Sequence, residues 1–345
     1  IQKIVLNSLY GVLGLPVFRF YDVDNAEATT ATGQKLIKFT EKIANFYYNK
    51  QLNDKEDYCI YTDTDSVFYP ATPLVKNRYP DVDVDDETFM TEQILSIAKE
   101  VQDFINGSYN HFAKKFLNCD NHRFDIKQEC IARSAFWVTK KRYGQWIIND
   151  GGVKCDKLDV KGLDIVRSNY SPAFRKIMTD VLKGILNNTD KELIDKQIID
   201  FKKNLKSLSI NDLALSTGVK GISKYTDKSR GKFTTKSALS NIKKSAPAHV
   251  KAAIRYNDLL KYYGETNTER IKNSEKIKWA YLKSNPLNIE ALAFKGYEDP
   301  DTIIEFIETY IDHDKIFQRA LQKKIDMFYE SLESVSYTHL TLPTS

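Results

Sequence analysis

Apolar positions recur with a helical period over residues 25 to 50, where Ala28, Ala31, Leu36, Phe39, Ile43 and Phe46 form one stripe. The same reading predicts helices over 87–117, 171–187, 189–206, 300–311 and 315–333. A helical pattern also fills IQKIVLNSLYGVLG, with Gly11, Gly14 and Pro16 to end it. No N-cap precedes that pattern and the first residue is Ile, so an upstream segment is expected. Between helices the period changes. Residues 57–69, DYCIYTDTDSVFY, read as a hairpin with Asp63 and Asp65 at its turn. Residues 70–86 read as a Pro- and Asp-rich loop. From 122 to 166 the alternation predicts strands in RFDIKQECIAR, AFWVTKKRYGQWII and VKCDKLDVKGLDIVR, with Asp150-Gly151 as a turn. Mixed elements follow over 245–298. The expected fold class is α+β, a sheet with packed helices followed by a mostly helical part, with a boundary near residue 168.

Composition changes this picture little. The chain has 345 residues, 42% apolar and 28% charged, enough for about two globular domains at roughly 150 residues each. No apolar run approaches the ~18 residues of a membrane span. Four cysteines without CxxC spacing suggest neither a disulfide framework nor a zinc site. Charge distribution matters more. The net charge is +5, yet residues 201–255 carry eleven Lys and two Arg against Asp212 and Asp227 alone. A surface that tracks phosphates fits this block better than a solubility patch. The tail VSYTHLTLPTS loses all charge and departs in style from what precedes it.

Three constellations carry candidate chemistry. Asp63 and Asp65 admit two readings: turn residues that bond their own backbone, or ligands of a divalent metal. The stretch alone leaves both open. On the opening helix, Lys3, Asn7 and Tyr10 at i, i+4 and i+7 fall within ~60° of one another. A Lys, an amide and a phenol on one face can hold a polyphosphate and stack on a base, though a wet amphipathic face has the same pattern. Gly11 beside them permits close approach of a base pair. In FWVTKKRYGQW, read as one strand, Lys140 and Arg142 face one way and Lys141 and Tyr143 the other. Basic groups interleaved with aromatics suit a duplex backbone.

KIVLNSLYG resembles motif B of family B DNA polymerases, K-x3-N-S-x-Y-G, and YTDTDSV resembles their motif C, Y-G-D-T-D-S. KKRYG at 140–144 is similar to their primer-template strand, and KGLDIVRS at 161–168 to the element joining palm to thumb. Weaker likeness to the T-even-like phage members continues to about residue 334. The resemblance implies 1–14 as the end of a fingers helix, 15–168 as palm, 169–334 as a duplex-binding thumb, and 335–345 as a non-native or disordered tail. It implies two Mg²⁺ ions, with Mn²⁺ as a substitute. Asp65 would be the firmer ligand, Asp63 a supporting carboxylate, and Glu129 a further acidic group near the metals. Lys3, Asn7 and Tyr10 would bind dNTP. Gly11, Lys140, Lys141, Arg142, Tyr143, Lys161 and Arg167 would meet primer-template DNA.

Thr62 stands where the family carries Gly. No D-x2-S-L-Y-P stretch, the family's motif A, occurs in the sequence, so the chain is expected to be inactive alone, either a split-gene product whose partner N-terminal polymerase fragment supplies motif A or a truncated reading frame. A sliding clamp is a further partner the resemblance implies, although the tail is unlike the clamp-binding tail of the phage members. The implied setting is the cytoplasm of an infected bacterial cell, without membrane association. Competing readings are a non-catalytic DNA-binding remnant and another palm-type metal enzyme.

Overall fold

The computed structural model describes residues 2–226 and 239–339, with side chains for 8–226 and 239–333. It is an α+β protein that divides into two units, Ile1–Arg133 with Ile147–Lys157, and Ser134–Trp146 with Leu158–Ser345.

The first unit opens with helices α1 (Gln2–Leu13) and α2 (Val23–Leu52). The Asp22 side chain caps α2 by accepting from Asn25 N–H, and Asn53 closes it in the left-handed conformation. A two-stranded antiparallel hairpin follows, β1 (Tyr61–Asp63) and β2 (Ser66–Phe68). The expected loop 70–86 holds a short helix instead, α3 (Thr72–Arg78), with Pro73 in its first turn, where a missing N–H costs nothing. Helix α4 (Glu87–Leu117) matches its expected span, and Asp86 caps it by accepting from Thr88 and Phe89 N–H. Its buried Met90 and Ile97 pack with Tyr47, Tyr48, Leu74 and Val75.

The strand expected from residue 123 begins only at β3 (Cys130–Thr139). Side chains on α4 explain the difference. Asn106 accepts from Ile126 N–H at 2.8 Å and donates to Ile126 O at 2.9 Å, while Gln102 accepts from Gln128 N–H at 2.9 Å. These bonds occupy the backbone groups a ladder would need.

The segment read as one strand over 135–148 is a hairpin. β3 ends at Thr139, Lys140 and Lys141 form the turn, and β4 (Arg142–Asp150) returns. With β5 (Val153–Lys161) they form a three-stranded sheet of order β3-β4-β5. The facing assigned to Lys140 through Tyr143 from strand alternation is therefore corrected: Lys141 lies at φ 63°, in a turn.

The remainder of the second unit is built on one continuous core. Helices α5 (Pro172–Leu186) and α6 (Lys191–Asn204) lead to α7 (Ile210–Leu213), β6 (Leu215–Gly218), α8 (Ile222–Tyr225) and α9 (Ala248–Tyr262). Strands β7 (Lys276–Tyr281) and β8 (Ala291–Phe294) complete an antiparallel sheet of order β6-β7-β8. Helices α10 (Asp301–Tyr310) and α11 (His313–Phe317), a π-helical turn at Gln318–Gln322, and α12 (Lys323–His339) end the described chain. Tyr256 on α9 and all four β8 residues are buried. Part of the basic block, residues 227–238, lies outside the described residues, as do residues 340–345. The expectation of a disordered tail from 335 is corrected over 335–339, which continue helix α12.

Candidate active site and nucleic-acid interface

Aromatic residues on α2 and the hairpin's own arms fix the Asp-Thr-Asp turn from below. Tyr48 packs between Tyr58 and Tyr69, ring centroids 5.2 and 5.1 Å away. Its hydroxyl donates to Pro70 O, and Tyr69 donates to Glu41 O at 2.8 Å. Asn45 receives Tyr58 N–H and donates to Asp57. Burial first, then the nearby Cys59, pushes the Tyr69 phenol well above its ordinary range, so it stays a neutral donor. Burial likewise raises the Cys59 thiol, which keeps it unreactive. Thr62 bonds the Glu41 carboxylate at 3.3 Å and lies 3.2 Å from Cys59 Sγ. The Thr62 side chain thus ties the strand to α2.

The turn itself is strained. Asp63 pairs with Ser66, and Asp65 N–H donates to Asp63 O at 2.6 Å across Thr64, whose φ is 52°. A three-residue turn with positive φ at its centre is the rare, strained sense of that turn. A β-branched residue there is a genuine outlier. Ser66 Oγ also donates to Asp63 O, and Thr64 Oγ1 donates to the Asp63 carboxylate at 3.0 Å. Asp63 is half-buried and oriented; Asp65 is exposed.

Hard carboxylate oxygens on a braced turn are a suitable donor set for Mg²⁺, which takes one or two carboxylates and leaves positions for water and phosphate. Among the described residues no three His, Cys, Asp or Glu side chains gather into a metal cluster. Glu129 is exposed, one residue before β3, and its carbonyl accepts Gly151 N–H at 2.7 Å.

On α1, Tyr10 is 44% exposed, and a side chain added at Gly11 would meet nothing within 4 Å. The Lys3 and Asn7 side chains lie outside the described residues.

In the second unit, Lys140 and Lys141 are exposed at the β3–β4 turn, and Tyr143 leans on Trp137 with centroids 5.9 Å apart. Gly162, at φ 66°, presses against this turn: a Cβ there would lie 2.0 Å from Lys141 O. Lys161 pairs with Asp159 at 3.2 Å. Arg167 pairs with Asp164 at 3.3 Å, and Arg142 reaches the other oxygen of Asp164 at 3.3 Å. Gly162, Asp164 and Lys324, which also bonds Asp164, are the residues that motif reading missed. The only sequence signal was Gly162 and Asp164 inside KGLDIVRS.

The chain matches the profile of the family described as DNA polymerase family B over residues 1–331. It is 25% identical over 343 residues to the DNA-directed DNA polymerase of Enterobacteria phage T4, covering 96% of this chain and 36% of that protein. It is 24% identical over 341 residues to that of Escherichia phage RB69, covering 95% and 36%. A DNA polymerase of Paramecium bursaria Chlorella virus NY2A is 34% identical over 188 residues, covering 54% and 18%. The chain therefore spans just over a third of the length of the two phage relatives. Among the described residues no helix is long and apolar enough to cross a membrane. With the Asp-Thr-Asp turn, the KKRYG hairpin and a profile match running almost end to end, the chain belongs to DNA polymerase family B.

Proposed function

We propose that this chain supplies the metal-binding hairpin and the duplex-gripping surface of a viral polymerase that transfers a nucleotide from dNTP to a primer 3′-hydroxyl. The observation that carries the reading is the strained Asp63-Thr64-Asp65 turn braced on α2. Strain of this kind persists only where surrounding structure over-determines it, and it clusters at functional sites.

Asp65, exposed at the tip, is the direct ligand for divalent metal. Asp63, oriented by the Thr64 hydroxyl, supports it. Bound as a pair, Mg²⁺ ions, or Mn²⁺ in their place, supply charge neutralisation at the triphosphate and a lowered pKa at the primer hydroxyl. Glu129 is the further acidic group of this reading, placed near the metals.

Lys3, Asn7 and Tyr10 on α1 bind the incoming dNTP, the Lys as a point charge for phosphate and the Tyr as a stacking face. Gly11 leaves room for the nascent base pair, since nothing lies within 4 Å of where its side chain would be. Lys140, Lys141, Arg142 and Tyr143, with Lys161 and Arg167, hold the new duplex through its backbone, which fixes position without reading sequence. In this reading residues 1–14 end the fingers, 15–168 form the palm and 169–334 the thumb. An N-terminal polymerase fragment carrying motif A and a sliding clamp are the partners this reading implies.

The test is primer extension by the polymerase containing this chain, with Asp65→Asn. Synthesis should fall by at least a hundredfold while duplex binding is retained. Undiminished synthesis would overturn the assignment and favour a non-catalytic DNA-binding role.

A further inference from the structure

Asp164 sits in a short 3-10 turn just after β5, with its side chain only 12% exposed. Three cations converge on it. Lys324 Nζ, from α12, lies 2.6 Å from one oxygen, and Arg142 Nη2 lies 3.3 Å from the same oxygen. Arg167 Nη1 lies 3.3 Å from the other. One carboxylate balances one of three positive charges, so the cluster keeps a local surplus of two. The carboxylate is recessed while the cations reach outward, 30% exposed for Lys324, 27% for Arg142 and 56% for Arg167.

The Arg142 guanidinium is also underused. Its Nη1 faces the Met327 sulfur at 3.5 Å, a weak acceptor, and its buried Nε has no hydrogen-bond partner among the described residues.

The surrounding fold fixes the three cations relative to one another. Tyr170 donates its hydroxyl at 2.6 Å to Ala320 O, inside the π-helical turn that precedes Lys324. Ser331 donates to Val138 O at 3.2 Å, and Phe328 packs edge-on against Phe136 at 5.5 Å, which docks α12 on β3. Gly162 against Lys141 O holds the hairpin turn from the other side.

We propose that Arg142, Arg167 and Lys324 form a seat for one backbone phosphate of duplex DNA, with Asp164 as the positioning residue that gathers them. The seat rests on the reading that the Lys140–Tyr143 hairpin meets the duplex. Arg142 directly follows the Lys140–Lys141 turn, so a strand held there runs past it. The planar donors of two arginines match a phosphodiester. The same chemistry would suit a free pyrophosphate group, which the experiment separates.

Binding of a fluorescein-labelled primer-template to the full chain is followed by anisotropy across a NaCl series, for wild type, K324Q, K324R, R167Q, D164N and K140Q. Losing one phosphate contact should make the slope of log K against log salt shallower by about 0.9. K324Q and R167Q should each show that change with a several-fold weaker affinity, and K324R should restore both. Melting temperatures of K324Q and wild type should agree, which separates contact loss from misfolding. D164N should weaken binding although it removes a negative charge. Tighter binding by D164N would show a carboxylate that merely opposes DNA, and would overturn the positioning role. Unchanged affinity and slope in K324Q and R167Q, alongside weakened binding by K140Q, would overturn the seat and leave the duplex reading intact. Absence of duplex binding by the unaltered chain would overturn both. Competition by inorganic pyrophosphate that K324Q abolishes, with duplex binding untouched, would reassign the seat to free phosphate and overturn the proposal.

Discussion

Replacing Gly162 by Ala perturbs the Lys140–Tyr143 hairpin from behind, chiefly through the backbone at Lys141. The added Cβ would lie 2.0 Å from Lys141 O, 3.1 Å from its carbonyl carbon and 3.3 Å from Arg142 Cγ. The nearest obstacle is backbone, so no rotamer change relieves it. The turn at Lys140–Lys141 must move by more than an ångström, or the chain at residue 162 must. Two costs add. An Ala held at φ 66° gives up about 1–2 kcal/mol in the left-handed region. Overpacking against a fixed neighbour adds roughly 1–3 kcal/mol. The expected loss is about 2–5 kcal/mol. Gly151→Ala isolates the first cost, because Gly151 has φ 59° but nothing within 4 Å of a Cβ. Urea denaturation followed by fluorescence of Trp137 and Trp146, on the two strands beside the turn, reads both variants. Gly162→Ala should be clearly the less stable of the two and should bind duplex DNA more weakly. Equal stability of the two variants, with duplex binding unchanged in Gly162→Ala, would refute the claim that Gly162 shapes the hairpin.

Other outcomes follow from the same structure. Thr64→Gly should change stability by no more than about 1 kcal/mol, since relief of the φ of 52° is offset by loss of the Thr64 hydroxyl bond to Asp63, while synthesis slows because the turn loses definition. Burial, and then the Asp54 carboxylate that accepts its hydroxyl, pushes Tyr58 from 10.0 to about 12. The unfolded chain therefore releases this proton first, and stability should fall as pH rises from about 10 to 12, less steeply in Tyr58→Phe by urea titration. Asp258 is 4% exposed on its side chain and holds Ser240 N–H, Ser240 Oγ and Arg255 at 3.0, 2.6 and 2.8 Å. Asp258→Ala should cost about 3 kcal/mol by denaturation, the lower end for a broken buried pair, because Arg255 keeps its bond to Ser240 O.

The long helices were legible because their signals are local. The apolar stripe of α2 ends where Asp22 and Asn53 cap it, and α4 starts at an acidic cap and stops at Asn118. The Tyr61–Phe68 hairpin was legible for a similar reason, since two short β-rich arms flank polar turn residues. The KKRYG hairpin was not. Its turn carries Lys at φ 63° rather than Gly or Asn, and the group pressing against it, Gly162, lies twenty-one residues downstream of Lys141. The cluster on Asp164 was hidden likewise, because Lys324 joins it from the far end of the chain. The stretch 123–129 alternates like a strand, but Asn106 and Gln102 satisfy its backbone from a helix, a tertiary event that periodicity does not contain. Thr72–Arg78 was missed although its Pro73 is a first-turn signal, because the neighbouring acidic residues read as loop.

The account depends most on divalent metal binding at the hairpin. A Mn²⁺ titration followed by electron paramagnetic resonance, with primer-template and dNTP present, tests it directly in wild type, Asp65→Asn, Asp63→Asn and Glu129→Gln. The account predicts that bound Mn²⁺ falls sharply in Asp65→Asn, falls partly in Asp63→Asn and holds in Glu129→Gln. Bound Mn²⁺ in Asp65→Asn equal to wild type would contradict it.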